Sequence, residues 1–429
     1  MKPFNAVIFA LFILLGLVAI AIIATFTGGG GTTIGTVEVW GPLPASSAGG
    51  HIDQVKLSRD DFNNVTYTEI PAENFIPTLV EAIAANRGPD VAVFPLEYLI
   101  EHGDKLETIP YSSVSKRQFQ DTFTEANEGL LENNGLKGLP YLVDPLVLYW
   151  NRTLFSQASI ARPPKYWDEV SEASVKLTHA DQNGSLSQSA IALGGWDNVA
   201  QAKEIVLSLL RQLGDPLVTK NDEGMITAGL AGAESGALSP AESVFRYYTE
   251  FADPVKPVYS WNRSQALSRD AFLSGRLAMY IGYASELSSL RQSNPNLNFD
   301  VAALPVARGA GTGVAAKGYA LSIPRGAKNP GGALSVALVL SGAPAQQLLV
   351  DDTRLPSVRR DLLTVSPDDP YAGIFRDAAL NAFVFLDPSP LETSAILKRV
   401  VDSVASGKLR INEAINEADN ELRALLKVR

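Results

Sequence analysis

Four aromatic residues lie where the chain leaves a predicted β-strand. Trp40, Phe94, Trp196 and Tyr283 each fall at or just beyond the C-terminal end of such a strand, which is where open α/β sheets place their ligand crevice. Flat aromatic faces suit the C–H faces of sugar rings. The pattern favours a small-molecule site, although a large aromatic residue at a strand end can equally well close a hydrophobic core.

Carboxylate and amide side chains near the same strand ends could supply the directional hydrogen bonds that hydroxyl groups need. The candidates are Glu97, Asp144, Asp197 and Asn198. Asp144 is the single acid in the apolar run GLPYLVDPLVLYWN, residues 138–151. We therefore predict seven ligand-binding residues: Trp40, Phe94, Glu97, Asp144, Trp196, Asn198 and Tyr283.

Other kinds of chemistry find little support in the sequence. Cysteine is absent, and the three histidines lie far apart without metal-ligand spacing. The glycine cluster at residues 309–318 lacks the Ser or Thr that a P-loop needs after Lys317, so it is interpreted as a mobile loop. Tyr247 and Tyr248 could bind ferric iron, but their helical spacing favours core packing. We predict no catalytic residue, no metal site and no cofactor.

Length and charge narrow the class of protein. A chain of 429 residues predicts two lobes, and 46 acidic against 36 basic residues give a formal charge of −10. No basic stripe interleaved with aromatic residues is present, which argues against a nucleic-acid partner. We expect a monomer.

The elements that must position the candidate residues are strands alternating with helices. Residues 36–40, 64–70 and 90–94 read as strands, and apolar spacing predicts a helix over residues 74–86. Residues 189–196 read as a strand and turn, residues 270–285 as a helix, a glycine stop and a strand, and residues 299–305 as a further strand. Helices are predicted from residue 202 and near the C-terminus. This alternation indicates a parallel α/β sheet.

The N-terminus predicts a membrane anchor. Residues 6–26 carry no charge, and a run of about 20 apolar residues is long enough to cross a bilayer. A cleaved signal usually has a shorter apolar region, so an uncleaved helix over residues 1–27 is favoured, followed by a glycine-rich tether at residues 28–36. Lys2 precedes the helix and the next basic residue is Lys56, which places the bulk of the chain outside the cytoplasm.

Several segments together resemble the extracellular solute-binding proteins of ABC transporters, in particular the sugar-binding group that includes maltose-binding protein. The segments occur in the family's order from about Val37 to the C-terminus: GPDVAVF, GLPYLVDPLVLYWNRTLF with PPKYWDEV, AFLSGRLAMYIG, FDVAALPV, GYALSIPRGAKNP and ASGKLRINEAINEADNEL. The resemblance implies a two-lobed periplasmic-binding-protein fold of type II, the Venus flytrap, preceded here by a transmembrane helix.

The resemblance also implies how the chain is divided between the lobes. Residues 37–141 and 318–353 would form lobe one, and residues 142–317 and 354–429 would form lobe two. The first crossover would be the apolar run around Asp144, which matches a family carboxylate that contacts sugar at the hinge. Tyr283 falls near a position where many family members have a stacking tryptophan, and this sequence has GYASE there instead.

Three functions are compatible with these features. The leading hypothesis is a membrane-anchored, extracytoplasmic protein that delivers a carbohydrate to the permease subunits of an ABC importer. A ligand-sensing subunit of a membrane receptor would use the same fold. An anchored sugar-active hydrolase would need two carboxylates roughly 5–10 Å apart across a cleft.

Overall fold

The computed structural model describes residues 34–182, 185–220, 226–230, 239–363 and 370–427. The predicted anchor over residues 1–27 and most of the predicted tether lie outside this part of the chain. Within it, no single helix is long and apolar enough to cross a bilayer. The consecutive helices Pro330–Leu340 and Ala343–Thr353 reach that length and composition together, but they meet at a bend of 63°.

The described residues form an α/β protein of strands, α-helices and short helical turns. The strands are β1 Val37–Gly41, β2 Val65–Glu69, β3 Val91–Pro95, β4 Ile109–Pro110, β5 Leu131–Glu132, β6 Gly135–Leu136, β7 Leu139–Asn151, β8 His179–Ala180, β9 Leu186–Ile191, β10 Val218–Lys220, β11 Ile226–Ala228, β12 Leu277–Tyr283, β13 Phe299–Ala302, β14 Val314–Ser322 and β15 Ala382–Phe383. The α-helices are α1 Gly50–Lys56, α2 Ala72–Ala84, α3 Leu99–His102, α4 Lys116–Thr122, α5 Arg152–Gln157, α6 Trp167–Leu177, α7 Ala202–Gln212, α8 Pro240–Glu250, α9 Ser268–Leu273, α10 Glu286–Ser293, α11 Pro330–Leu340, α12 Ala343–Thr353, α13 Arg360–Leu363, α14 Ala372–Leu380, α15 Pro390–Ala405 and α16 Ile411–Lys427. Shorter 3₁₀ or π turns cover Ala45–Gly49, Asp60–Phe62, Leu96–Tyr98, Gly103–Lys105 and Glu125–Leu130.

Ten strands belong to one continuous sheet, whose main path is β2-β1-β3-β14-β7-β12-β9-β8. In the first half, β1 runs parallel to β2 and β3, and β14 runs antiparallel to β3. In the second half, β12 runs parallel to β9, while β12 and β13 are antiparallel to β7. The predicted α/β class is confirmed, but the sheet is mixed: antiparallel pairs form where the two halves join, and β8 is antiparallel to β9 at the far edge.

Strand β7 is shared by both halves of the sheet. Its residues from Leu139 to Pro145 pair with β14, and those from Leu146 to Trp150 pair with β12. All its residues except Trp150 are buried, and a strand covered on both faces is expected to be almost continuously apolar. Asp144 is therefore placed where the strand changes partners.

Strand β14 pairs with β7, and Gly318 in β14 lets the side chains of Val384 and Leu96 pack closely against the strand. A Cβ atom built on Gly318 would lie 2.6 Å from Val384 Cγ2 and 2.8 Å from Leu96 Cδ1. A side chain there would have to displace both neighbours. The predicted loop at residues 309–318 is wrong in its second part, because Val314 to Gly318 are ladder residues of β14.

The helices cover the sheet and complete the two lobes. α11 packs on β1, and α12 packs on α1, in the first half. α8, α15 and α16 pack on one another beside the second half, and α7 contacts both α8 and α15. Arg360 Nε donates to the carbonyl of Phe123 at 2.8 Å, so the chain after α12 keeps contact with the first lobe before it reaches the second. The exact lobe boundaries stay a prediction.

Candidate functional site

A cleft opens beside the crossing of β7 and β14, between the 3₁₀ turn after β3 and the first turn of α7. Its charged or aromatic lining residues are Glu97, Lys203, Glu204, Tyr283, Lys317, Tyr319 and Phe385. The enclosed cavity measures about 30 Å³, which is room for one or two water molecules. Pockets that hold small-molecule ligands usually measure about 300–1,000 Å³. In this structure the cleft is therefore too narrow to hold a sugar.

Glu97 and Tyr283 are the two predicted residues that line the cleft. Glu97 lies in the turn Leu96–Tyr98, directly after β3. Burial raises the pKa of its carboxyl group, and the nearby Lys203 opposes that rise. Tyr283 ends β12 and is 5% exposed, and Lys317 Nζ lies 4.2 Å from the centroid of its ring. Both residues line the cleft, and the ammonium group of Lys317 occupies the face of the ring by a cation–π contact.

Asp144 lies directly behind the lining, opposite Lys317 in the β7–β14 ladder. Its side chain is buried, and Oδ1 accepts a hydrogen bond from the Ser285 amide at 3.0 Å. Burial raises the pKa of Asp144 to about 6, while the hydrogen bonds from Ser285 and the charge of Lys317 limit the rise. The acid is thus ionised near neutral pH but close to titration.

The turn that carries Tyr283 is held by hydrogen bonds from three sides. The Tyr283 amide donates to Glu286 Oε1 at 2.9 Å, and its carbonyl accepts from Tyr149 OH at 2.7 Å. Asp144 holds the Ser285 amide, and Ala284 donates to the carbonyl of Pro145 at 2.9 Å. These bonds attach the turn to β7 and fix the position of the tyrosine ring beside the strand crossing.

Asn198 is not oriented toward the cleft. Its Nδ2 donates to the carbonyls of Asn262 and Gln265 at 2.9 and 3.0 Å, and its Oδ1 accepts from Trp261 Nε1 at 3.1 Å. Both amide hydrogens are used within the loop, so little capacity is left for a ligand. In this structure Asn198 fastens the fully buried Trp261 and the segment after it, and its contact with a ligand stays a prediction.

Phe94 also differs from its predicted role, because its ring belongs to a core. It is 1% exposed and packs with Phe75, Ile76 and Leu79 of α2. Val93 and Phe94 point to opposite faces of the sheet, as successive strand residues must. The ring therefore faces α2, which is the core-packing alternative that the sequence left open.

The two tryptophans of the predicted set lie away from the cleft lining. Trp40 is partly buried against the same α2 core, and its Nε1 donates to Glu38 Oε1 at 2.7 Å. Trp196 is partly buried against the main core, in the turn that Asn198 organises. Asp197, next to it, is exposed and pairs with Lys398. The cleft is thus lined by Glu97 and Tyr283, with Asp144 directly behind them, and by neither tryptophan.

The tyrosine pair considered for iron binding is part of the core. Tyr248 is fully buried, and its hydroxyl donates to the Gly195 carbonyl at 2.8 Å. Tyr247 donates to the Trp167 carbonyl at 2.8 Å, and its ring packs edge-on against Trp167. Burial raises the pKa of both phenols, which disfavours the phenolate that would bind iron. Core packing is the correct interpretation.

Lys203, Glu204 and Tyr319 were missed from the sequence. Lys203 and Glu204 form the first turn of α7, after Gln201 in a left-handed conformation with φ of 54°. The helical spacing of residues 202–213 showed that these two side chains lie off the apolar face. Nothing local showed that this polar side faces β3, because that contact depends on the long-range crossing of β14 and β7.

Comparisons with known proteins agree with this architecture. The family model described as bacterial extracellular solute-binding protein matches residues 60–347, about two thirds of the chain. The chain belongs to this family. The family that the sequence analysis named is therefore confirmed, together with the two-lobed periplasmic-binding-protein fold, and the family's members are binding proteins described as extracellular.

Solved structures of the same fold cover nearly the whole chain. The sugar-binding protein MalE from Xanthomonas citri gives a TM-score of 0.74 at 20% identity, covering 92% of this chain and 98% of that one. The cyclic alpha-maltosyl-1,6-maltose binding protein from Arthrobacter globiformis gives 0.71 at 15% identity, covering 92% and 99%. A solute-binding protein from Thermotoga lettingae, solved with alpha-D-tagatose, gives 0.69 at 20% identity, covering 91% and 99%.

Curated relatives match a smaller part of the chain than these structures do. Binding proteins of Brucella abortus and Brucella suis are 23% identical over 274 residues, which are 61% of this chain. The match spans 61% of the length of these relatives. They support the family and leave the ligand open.

Proposed function

We propose that this protein is a membrane-anchored, extracytoplasmic solute-binding protein that delivers a carbohydrate to an ABC importer. The observation that carries the proposal is the cleft at the β7–β14 crossing, which Tyr283 at the end of β12 and Glu97 after β3 line, with Asp144 of β7 directly behind the lining. An aromatic face with carboxylates beside it suits a ligand that has both C–H faces and hydroxyl groups.

Related structures support a saccharide as the ligand. Proteins of this fold have been solved with mannotriose, with alpha-D-tagatose and with maltotetraose. The sequence supplies the anchor, because residues 6–26 are uncharged and long enough to span a bilayer. Together these features support a monomeric binding protein that stands outside the membrane and carries its cargo without turning it over.

The proposed mechanism is closure around the ligand. A solute that contacts both lobes stabilises the closed form in proportion to its differential affinity for the two forms. Hinge motion is expected at the two crossing strands, β7 and β14, since they are shared by both halves of the sheet. The closed form would then dock on the outer face of the permease subunits. The lobes proposed are residues 37–141 with 318–353 and residues 142–317 with 354–429.

The test is the thermal unfolding of the full chain in detergent against a panel of mono- and oligosaccharides. One saccharide at 100 times its dissociation constant should stabilise the protein by about 2.7 kcal/mol, a shift of several degrees. Absence of a shift with every saccharide would contradict carbohydrate binding. Release of a shortened product from a glycan would instead point to a hydrolase.

A further inference from the structure

Lys203 is held at the edge of the cleft by a buried carboxylate. Its side chain is 12% exposed, and Nζ lies 3.0 Å from Asp387 Oδ2. Asp387 is fully buried, and its Oδ1 accepts hydrogen bonds from the Ser389 amide and from Thr393 Oγ1 at the start of α15. The carboxylate of Asp387 is therefore held in position by the first turn of α15, and it holds the ammonium group of Lys203 in position.

The same ammonium group also reaches across the cleft. Lys203 Nζ lies 3.8 Å from Glu97 Oε2, in the turn that follows β3. A charge-assisted hydrogen bond measures about 2.7–2.9 Å, so this contact is an ionic attraction without a well-formed hydrogen bond. The Asp387 contact connects α7 to α15 in the second lobe, whereas the Glu97 contact connects α7 to the first lobe.

The cleft is narrow beside this contact. The cavity of about 30 Å³ excludes even a monosaccharide, and Glu97 and Lys203 both belong to its lining. A solute can therefore enter only after the lysine and the glutamate have separated. Since hydroxyl groups would bind to these same two side chains, the ion pair and the solute compete for one place.

We propose that Lys203 is a positioning residue for closure: anchored by Asp387, it joins the two lobes through Glu97 when no ligand is bound. The proposal rests on the proposed function only in treating the cleft as the ligand site. Its consequence is that the free protein populates a closed form, and that a ligand binds by replacing the lysine at Glu97.

The lobe separation can be measured by pulsed electron spin resonance, because the chain has no cysteine. Asp104→Cys and Leu391→Cys place spin labels on the two sides of the contact. The side chain of Asp104 is 64% exposed and residue Leu391 is 82% exposed, so both labels reach solvent. In the full chain, without ligand, we expect a short-distance population. Glu97→Gln and Lys203→Met should each raise the ratio of long to short distances roughly threefold or more.

Lys398→Met is the matched control, because Lys398 pairs with Asp197 and with Asp402 of its own helix. Its distance distribution should equal that of the parent. Lys203→Met leaves Asp387 buried without its partner and can unfold the chain, so Glu97→Gln, which keeps the Lys203–Asp387 pair, carries the test alone if necessary.

Two results would overturn the proposal. One is a ligand-free parent that shows only the long distance, and the other is a distribution that Glu97→Gln leaves unchanged. Neither measurement uses a saccharide. A negative saccharide panel would therefore leave this inference standing, and unchanged distances would leave carbohydrate binding standing.

Discussion

Two turns of the second lobe follow neighbouring parallel strands and can be compared directly. One is residues 283–285 after β12, and the other is residues 196–198 after β9. Each begins with a large aromatic residue, and the carboxyl ends of parallel strands meet at the same edge of a sheet. Only the first turn, which carries Tyr283, contributes to the cleft.

Strand order explains the difference. β12 is hydrogen-bonded to β7, whereas β9 lies on the far side of β12. Strands are spaced by about 4.8 Å, so the end of β9 lies about 10 Å from the crossing strand. The polar groups of the two turns differ accordingly: the turn after β12 is attached to β7 by Asp144, and the turn after β9 is attached by Asn198 to its own loop.

The comparison teaches that a polar side chain at a strand end serves a ligand only where local partners have not used its hydrogen-bonding capacity. Asn198 has already made three hydrogen bonds within the turn and the segment it holds. Asp144 has one oxygen bonded to Ser285 and a lysine opposite it. Substitutions in the two turns should therefore separate stability from affinity.

The largest effect is expected for Asn198→Ala. It leaves the Trp261 indole and two carbonyls without partners in a largely buried place, which should lower the free energy of unfolding by about 2–4 kcal/mol. Urea denaturation measures this loss. Asn298→Ala is the matched control, because the Asn298 side chain makes a long, exposed contact of 3.5 Å from Nδ2 to Thr153 Oγ1, and its loss should stay below about 0.5 kcal/mol.

Ligand affinity of the folded Asn198→Ala fraction should stay unchanged, since the amide is directed into its own loop. A variant with normal stability and much weaker binding would mean that Asn198 turns toward the ligand in another form of the protein. The contrast between the two turns would then fail.

Asp144→Asn should weaken ligand binding roughly tenfold or more, because a hydrogen bond to a charged group contributes about 1.5–3 kcal/mol. Stability at pH 7 should be unchanged or slightly higher. The reason is that the pKa of Asp144 is raised from 3.8 to about 6 in the folded protein, so its ionised form opposes folding increasingly from pH 4 to pH 6. Calorimetric titration with the saccharide found in the panel, together with urea denaturation, checks both expectations.

The pH dependence of ligand affinity is the control for the proposed contact between Asp144 and the ligand. Binding by the parent should be full above pH 6 and should decline as the pH falls through about 6, because the carboxylate becomes protonated. Asp144→Asn should remove this decline, apart from any part due to Glu97, whose pKa burial also raises. An unfolded Asp144→Asn protein would instead assign the acid a structural role.

Local patterns were enough to predict most of the fold. The spacing of apolar residues gave β1, α2, β3, α7 and β12 to within a few residues, because each element buries one face or runs through a core. The apolar run around Asp144 also indicated a special strand. Next to Asp144, strand β7 changes its pairing from β14 to β12. Only the family resemblance could predict this change, since β14 lies about 170 residues further along the chain.

The candidate site was less predictable, and Phe94 and Lys203 show why. Successive residues of a strand point to opposite faces of the sheet, so a ring at a strand end faces a core or a crevice according to the face on which it lies. Phe94 lies on the face that α2 covers. Lys203 belongs to a helix whose polar side faces the cleft only after the second lobe has folded against β3. Both outcomes depend on packing between segments distant in sequence.

The smallest effect is expected for Trp196→Leu, which tests the aromatic residues of the two turns against each other. Trp196 is partly buried against the main core, so the change should cost some stability but alter saccharide affinity less than about twofold. Tyr283→Leu removes the ring that faces the cleft and should weaken affinity about three- to tenfold, since an aromatic contact contributes about 0.5–1.5 kcal/mol beyond area burial. Calorimetric titration of both variants, with urea denaturation to correct for the folded fraction, makes the comparison. Equal losses of affinity would mean that the turn after β9 swings into the site when the ligand binds, and strand order would then no longer explain which turn takes part.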